Sequence, residues 1–318
     1  MTQTAPAPLS SKPIPVRRRG SALARQEARA FYGFASPWIL GFVLFGGGPV
    51  VAALLLSFAH WNLLTPPSWA GLANYQRMFA DPLFYRSIVN TVYFAAGSVA
   101  LGVITSFLLA LLLNQKVRGV GFFRTVFYLP SVVSGVATAL LWVNILNPDS
   151  GLINSILRVV GIKGPGWLVD PQWAIPGLIL MSVWGAGNTI VIYLAGLQGV
   201  SPTLYEAARL DGAGAWHRFW NVTIPMMSPV IFFNVVTSLI ASLQAYTLVL
   251  IMTGGGRPGT AGGPDNSTLM LGLYIYREAF EYFDMGYAAA LSWAMFLLIG
   301  AATAVQFAFA RRWVYYDA

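Results

Sequence analysis

Cysteine is absent from this chain of 318 residues, histidine occurs only as His60 and His217, and charged residues make up just 9%. The lack of cysteine excludes a disulfide framework, a thiolate metal site and a cysteine nucleophile, and leaves the redox compartment open. The two histidines lie too far apart for a local metal motif, so no metal or cofactor is expected; His217 reads most simply as an interfacial polar residue. Lysine occurs only at Lys12, Lys116 and Lys163, none in the Gly-Lys-Ser or Gly-Lys-Thr setting of a phosphate-binding loop. The chain therefore shows no nucleotide-hydrolysing site of its own.

What is abundant is apolar: 57% of the residues are hydrophobic and the mean hydropathy is +0.64, whereas a soluble domain carries about 25% charge. Residues 171–205 and 219–256 contain no Asp, Glu, Lys or Arg, and about 20 apolar residues suffice to span the hydrocarbon. Charge-free windows place six spans at residues 36–58, 88–113, 124–146, 174–196, 226–252 and 287–309. Residues 1–30 read as a basic tail whose proline-rich start, through residue 16, is disordered; residues 31–318 read as the membrane domain. The apolar run after Arg29 is too long for the core of a signal peptide and is taken as a retained first helix. Gly46-Gly47-Gly48-Pro49 should loosen or bend it.

The net charge of +8 is arranged for membrane orientation. Arg17, Arg18, Arg19, Arg25 and Arg29 precede the first span. With six spans, the N-terminal tail, the residue 114–124 connection, the residue 197–225 loop and the C-terminal tail carry 13 of the basic residues. The other side carries Arg77, Arg86, Arg158, Lys163, Arg257 and Arg277. The positive-inside rule then puts both termini and the 197–225 loop in the cytoplasm. Trp38, Trp61, Trp142, Trp173 and Trp313 fit interfacial anchoring.

That loop is the most polar insert between apolar stretches. Ser201-Pro202 is a helix start, with Thr203 and Glu206 as an alternative capping box. Asp211-Gly212 ends the helix, and Ala213 to Trp220 can begin a second, amphipathic one before Ile224-Pro225 leads into the fifth span. The product is a compact knob whose alanines permit close approach by another protein.

Glu206-Ala207-Ala208, Asp211-Gly212-Ala213 and Ile224-Pro225 together resemble the cytoplasmic signature loop of permease subunits in binding-protein-dependent ATP-binding-cassette importers. Phe127-Tyr128-Leu129-Pro130, Thr253-Gly254-Gly255-Gly256, and Tyr274-Ile275-Tyr276-Arg277-Glu278-Ala279-Phe280 leading to Gly286-Tyr287-Ala288-Ala289-Ala290 are similar to the carbohydrate-uptake branch. The likeness runs from about Ala35 to Tyr316. It implies an all-α, polytopic fold of the type I importer kind with a cytoplasmic coupling helix, in the inner membrane of a prokaryote. It also implies a non-catalytic subunit partnered by a cytoplasmic ATPase dimer, a second permease subunit and an external sugar-binding protein. In that family the loop seats in a cleft of the ATPase. Carried over, Glu206 accepts from a basic ATPase residue, Gly212 makes the tight turn, Ala207, Ala208 and Ala213 allow contact, and Asp211 and Pro225 complete the motif. The family's maltose member carries a large folded insert between the third and fourth spans; residues 147–173 are too short for one, so the chain resembles the smaller permeases for glycerol phosphate, lactose and other oligosaccharides.

Apart from Arg124 at the first position of the third window, the predicted spans hold no charge, which disfavours ion coupling within the chain. Their neutral polar residues are the candidate substrate contacts: Trp184, Asn188 and Thr189 in the fourth span, Gln244 and Tyr246 in the fifth. An aromatic face with amides and hydroxyls suits a sugar, and interhelical hydrogen bonding uses the same residue types. The positions of Trp184 and Gln244 also resemble sugar-lining places in the family's maltose members. The residue 255–266 loop is a candidate docking element for the external binding protein. Two rival classes stay open from sequence: a secondary transporter or channel working without an ATPase, and an intramembrane enzyme, for which paired acids or a Ser-His dyad are not in place.

Overall fold

A computed structural model of the chain describes residues 22–115, 118–254 and 261–315. The proline-rich tail through residue 16, Arg17 to Arg19, Lys116, Arg257 and residues 255–260 of the 255–266 loop lie outside the described residues, among them Gly255 and Gly256 of the glycine motif. The chain divides into two units, Met1–Ala52 and Ala53–Ala318.

The described elements follow in order as α1 (Ala22–Phe42), α2 (Gly48–Leu56), β1 (Ala59–His60), β2 (Ser68–Trp69), α3 (Ala73–Ala80), α4 (Pro82–Leu113), α5 (Val120–Val132), α6 (Gly135–Ile145) and α7 (Leu152–Val159). Then come α8 (Ala174–Trp184), α9 (Gly187–Gly199), α10 (Pro202–Leu210), α11 (Ala215–Arg218), α12 (Ile224–Leu243), α13 (Thr247–Thr253), α14 (Leu271–Tyr276) and α15 (Met285–Ala310). The strands form one small antiparallel pair, Ala59 opposite Trp69. All other regular structure among the described residues is helical.

In the first unit the glycine run does not break the helix. Val43–Gly47 widens into a π-turn and the helix continues through Pro49, because a wider turn absorbs a proline that cannot donate its backbone hydrogen bond. Phe34, Trp38 and Phe45 stand exposed along it, as a helix made for lipid or another apolar partner would present them.

Among the described residues four helices are long and apolar enough to cross a membrane: Ala24–Leu56, Pro82–Leu113, Ala215–Leu243 and Met285–Ala310. Two bent pairs, α5 with α6 at 101° and α8 with α9 at 50°, bring the number to six when each pair is one span. The sequence windows agree in number and depart from the structure at these breaks. The third span is bent rather than straight: Pro130 withholds a hydrogen bond, Val133 is extended and Gly135 starts afresh. The fifth window reached residue 252, whereas the helix stops at Leu243; Gln244 closes α12, Tyr246 is off the helical path, and α13 begins at Thr247. Charge enters these helices only near their ends, at Arg25, Glu27, Arg29, Arg86, Arg124 and Arg218.

α4 is the central post of the second unit, packing against α8, α9, α12 and α14. Its first half joins a core of Phe84 and Phe94 with Trp142, Leu178, Leu273, Tyr274 and Tyr287. Its second half joins Phe107 and Ala110 to Tyr193, Leu197 and Met227. Between these two apolar cores α4 carries Ser98, Gly102 and Ser106, and there the interior turns polar.

Candidate coupling elbow and transport cavity

The knob forms at the expected residues, with two differences. Ser201 occupies the N-cap position and Pro202 the first turn of α10, but no side chain caps the helix; Ser201 Oγ and Thr203 Oγ1 bond each other at 2.7 Å. Thr203 lies inside the helix, so the capping-box role for Glu206 falls away, and Glu206 stands exposed. The second short helix is not separate either. α11 passes through a π-turn at Phe219–Thr223 directly into α12, and Pro225 sits in the first turn of α12, so the fifth span extends outward as the stem of the knob.

Asp211-Gly212 makes the turn. Gly212 has φ +79°, a left-handed conformation that a side chain would strain. Ala213 N–H then donates to Ala208 C=O at 2.9 Å, and Arg218 Nη1 donates to Ala213 C=O at 2.8 Å, closing the elbow on itself. Tyr205 and Thr223 hydroxyls bond at 3.1 Å and tie α10 to the stem. Phe219 packs on Trp216 at 6.0 Å and on Phe107 of α4 at 6.3 Å between ring centroids. Ala208, Asp211 to Gly214, His217 and Asn221 line a groove of about 460 Å³. Leu210 is 90% exposed at the tip. The elbow is thus bonded within itself and tied to its stem, with Leu210 uncovered.

Deeper in the chain, α4, α12 and the break between α8 and α9 enclose a cavity of about 280 Å³. Ser98 and Ser106, on either side of Gly102, face Ser238 and Ser242 of α12, with Ser182 and Thr189 flanking the break. Ser98 Oγ bridges to Ser242 Oγ at 3.2 Å. Ser106 Oγ is fully buried and has no partner among the described residues. The lining includes no charged side chain. Across Ala186 a second, apolar cavity of about 310 Å³ is walled by Trp184, Trp142, Phe127 and Pro130, with the two tryptophan rings edge to face at 6.1 Å.

Of the candidate substrate residues, Thr189 lines the serine cavity and Trp184 the neighbouring one. Asn188 is exposed on the other side of α9. Gln244 and Tyr246 lie at the break in the fifth span, lining neither cavity, and Tyr246 stacks on Tyr276 at 5.7 Å. Asn234 donates back to Val230 C=O of its own helix. The serines were missed in the sequence, although the i, i+4, i+8 spacing of Ser98, Gly102 and Ser106 and the i, i+4 spacing of Ser238 and Ser242 put them on single helix faces.

At the opposite end of the unit from the elbow, the segments Tyr274 to Phe280 and Gly286 to Ala290 form a polar clasp. A π-turn at Arg277–Glu281 sends two adjacent charges in different directions. Glu278 meets Arg77 of α3 at 3.2 Å, and Arg77 also holds Asp284 at 2.5 Å while lying 3.8 Å above the Tyr287 ring. Asp81 accepts from the hydroxyls of Tyr274 and Tyr287 and caps α4 through Leu83 N–H. Arg277, only 7% exposed, donates to Asn266 Oδ1 at 2.8 Å and Ala261 C=O at 3.2 Å. Burial pushes the Glu278 carboxyl above the usual carboxylate range, and the attraction of Arg77 offsets that only in part. Beside them Gly286 is pressed against Ala59 C=O, leaving no room for a side chain.

Comparison with known proteins agrees with this architecture. Residues 98–315 match the family described as binding-protein-dependent transport system inner membrane component. A probable ABC transporter permease protein, YesP, of Bacillus subtilis is 39% identical over 296 residues, covering 92% of this chain and 94% of its own. The lactose transport system permease protein LacF of Rhizobium radiobacter is 37% identical over 283 residues, covering 87% and 93%. Among solved structures, a chain of a bacterial ABC transporter involved in alginate import superposes with a TM-score of 0.73 at 26% identity, covering 90% of this chain and 96% of that one. A family match over residues 98–315 and a relative 39% identical over 92% of the chain place this chain in the family of inner-membrane components of binding-protein-dependent transport systems.

Proposed function

We propose that the chain is one permease subunit of an importer for a sugar or oligosaccharide, with the serine cavity as its share of the substrate path. The observation that carries the reading is a charge-free, hydroxyl-lined cavity half-way along α4, where a helix break opens the bundle interior. Hydroxyls that donate and accept suit a polyol better than an ion, whose charge would find no counter-ion there. At about 280 Å³ the cavity is at the lower end of small-molecule sites, about 300–1,000 Å³, so it accounts for part of a pathway completed by a second permease subunit. Relatives whose names specify lactose or multiple sugars support the substrate class.

The elbow receives force from a cytoplasmic ATPase dimer. Glu206, Ala207, Ala208, Asp211, Gly212, Ala213 and Pro225 form the docking and turning surface, and motion passes along the continuous stem into α12, which carries Ser238 and Ser242. The arginine-rich flanks set both termini and the elbow inside, and the clasp around Arg77 outside, where the sugar-binding protein arrives. Trp184, Asn188, Gln244 and Tyr246 are proposed contacts for substrate moving between the two permease subunits. Family membership disfavours a transporter or channel working without an ATPase.

The test fills the cavity from Gly102, where an added Cβ meets nothing within 4 Å, so the side chain of Gly102→Leu starts into open space. In proteoliposomes containing the complete transporter, sugar uptake should fall at least about tenfold while the complex assembles normally. Wild-type uptake by Gly102→Leu would remove the cavity from the pathway.

A further inference from the structure

Neither the elbow nor the cavity uses a groove at the C-terminal end of α15. Ala304, Phe307, Ala308 and Arg311, spaced i, i+3, i+4 and i+7, share one face of the helix and line a space of about 620 Å³ whose far wall is Phe232 of α12. The alanines leave the depth. Phe307 meets Phe232 edge to face at 5.2 Å, and Trp313 meets Phe232 at 6.1 Å. The wall is therefore apolar and aromatic along its length and cationic at one mouth, where Arg311 and Arg312 are both exposed and neither pairs with a carboxylate among the described residues.

We propose that this groove binds one anionic glycerophospholipid, with an acyl chain along Ala304, Phe307 and Ala308 and the phosphate at Arg311. A cationic flank that only oriented the helix would need no groove beneath it. A neighbouring transmembrane helix seated there would cover Arg311 with no counter-charge among the described residues, at a desolvation cost. A lipid supplies the apolar length and the negative charge in one molecule, and arginine matches a phosphate with paired donors. The proposal rests on the membrane reading above, and on the inward orientation only for which leaflet supplies the lipid.

The experiment is native mass spectrometry of the complete, detergent-purified transporter, delipidated and titrated with phosphatidylglycerol or with phosphatidylcholine of the same chains. One phosphatidylglycerol per copy of this chain should be retained about tenfold better than phosphatidylcholine. Arg311→Gln should weaken that retention about tenfold, equivalent to about 1.4 kcal/mol; Arg311→Lys should keep most of it, and Ala308→Leu, which fills the groove and leaves both arginines, should lose it. Arg118→Gln, another exposed cation, should change nothing. Equal retention of the two lipids, or phosphatidylglycerol held as well by Ala308→Leu as by wild type, would overturn the site, as would an equal loss with Arg118→Gln. Cross-linking of Ala308→Cys to a cysteine on the second permease subunit would show a helix there instead. Side-specific labelling of Tyr315→Cys reads the leaflet independently: an outward C-terminal end with lipid still bound would refute the orientation and leave the lipid site intact.

Discussion

Replacing Arg77 with alanine should loosen the clasp in a way that can be worked from its geometry. Arg77 holds Glu278 at 3.2 Å and Asp284 at 2.5 Å, with side-chain exposures of 50% for the arginine, 6% for Glu278 and 32% for Asp284. At an effective dielectric of about 20 the gross attraction across 3.2 Å is about 5 kcal/mol. Water reaches half of the arginine, so most of this is screened, and exposed pairs contribute no more than about 1 kcal/mol. Breaking a buried pair costs about 3–5 kcal/mol because it leaves an uncompensated charge. With one partner buried and the other half exposed, Arg77→Ala should cost about 2 kcal/mol, mainly as the burden of an unpaired Glu278. Glu278→Gln in the same chain should recover most of that loss, since a neutral amide needs no counter-charge. The assay is unfolding in mixed detergent micelles followed by circular dichroism, for wild type, both single variants and the double variant. A coupling energy near zero, or an Arg77→Ala protein as stable as wild type, would refute the electrostatic account of the clasp.

The same carboxyl sets a pH dependence. Glu278 titrates above its ordinary 4.5 in the folded chain, so the folded state binds the proton more tightly than the unfolded state does. Its contribution is therefore present in full below 4.5 and declines as pH rises through the elevated folded value; Glu278→Gln should flatten that part of a stability profile measured between pH 4 and 8. Gly286→Ala should destabilise by about 1–3 kcal/mol, since the new methyl group would run into Ala59 C=O, and an unchanged unfolding midpoint would contradict so close a contact. Glu206→Lys should abolish substrate-stimulated ATP hydrolysis by the assembled transporter while membrane insertion persists; wild-type stimulation would separate Glu206 from coupling. Gln244→Leu should weaken uptake with little effect on assembly, and unaltered uptake kinetics would take it out of the path.

Much of this molecule could be read from residue chemistry alone. Long uncharged runs betray spans because hydrocarbon excludes unpaired charge, and Ser201-Pro202 and Asp211-Gly212 mark the start and turn of the elbow through local backbone preference. The breaks were less legible. Gly185-Ala186-Gly187 and Val133-Ser134-Gly135 are apolar enough to pass as membrane helix, so hydropathy alone does not show where the chain bends. Ile224-Pro225 read as the entry to the fifth span, and Pro225 does sit in the first turn of α12; what the sequence did not show is the π-turn that joins α11 to it without a break. The clasp was hidden for another reason: Arg77 and Glu278 lie 201 residues apart, and no periodicity connects partners brought together only by the fold. The serine cavity stood in between, its spacing visible on each helix and its convergence visible only in three dimensions.

The absence of cysteine makes the most direct test simple, because one introduced thiol is the only one in the chain. Leu210→Cys, at the exposed tip of the elbow, should react with a membrane-impermeant maleimide in inside-out vesicles and not in right-side-out ones, and should become protected when the ATPase dimer is bound. Labelling from the outer face, or labelling indifferent to the ATPase, would contradict the claim that this elbow is where a separate motor takes hold.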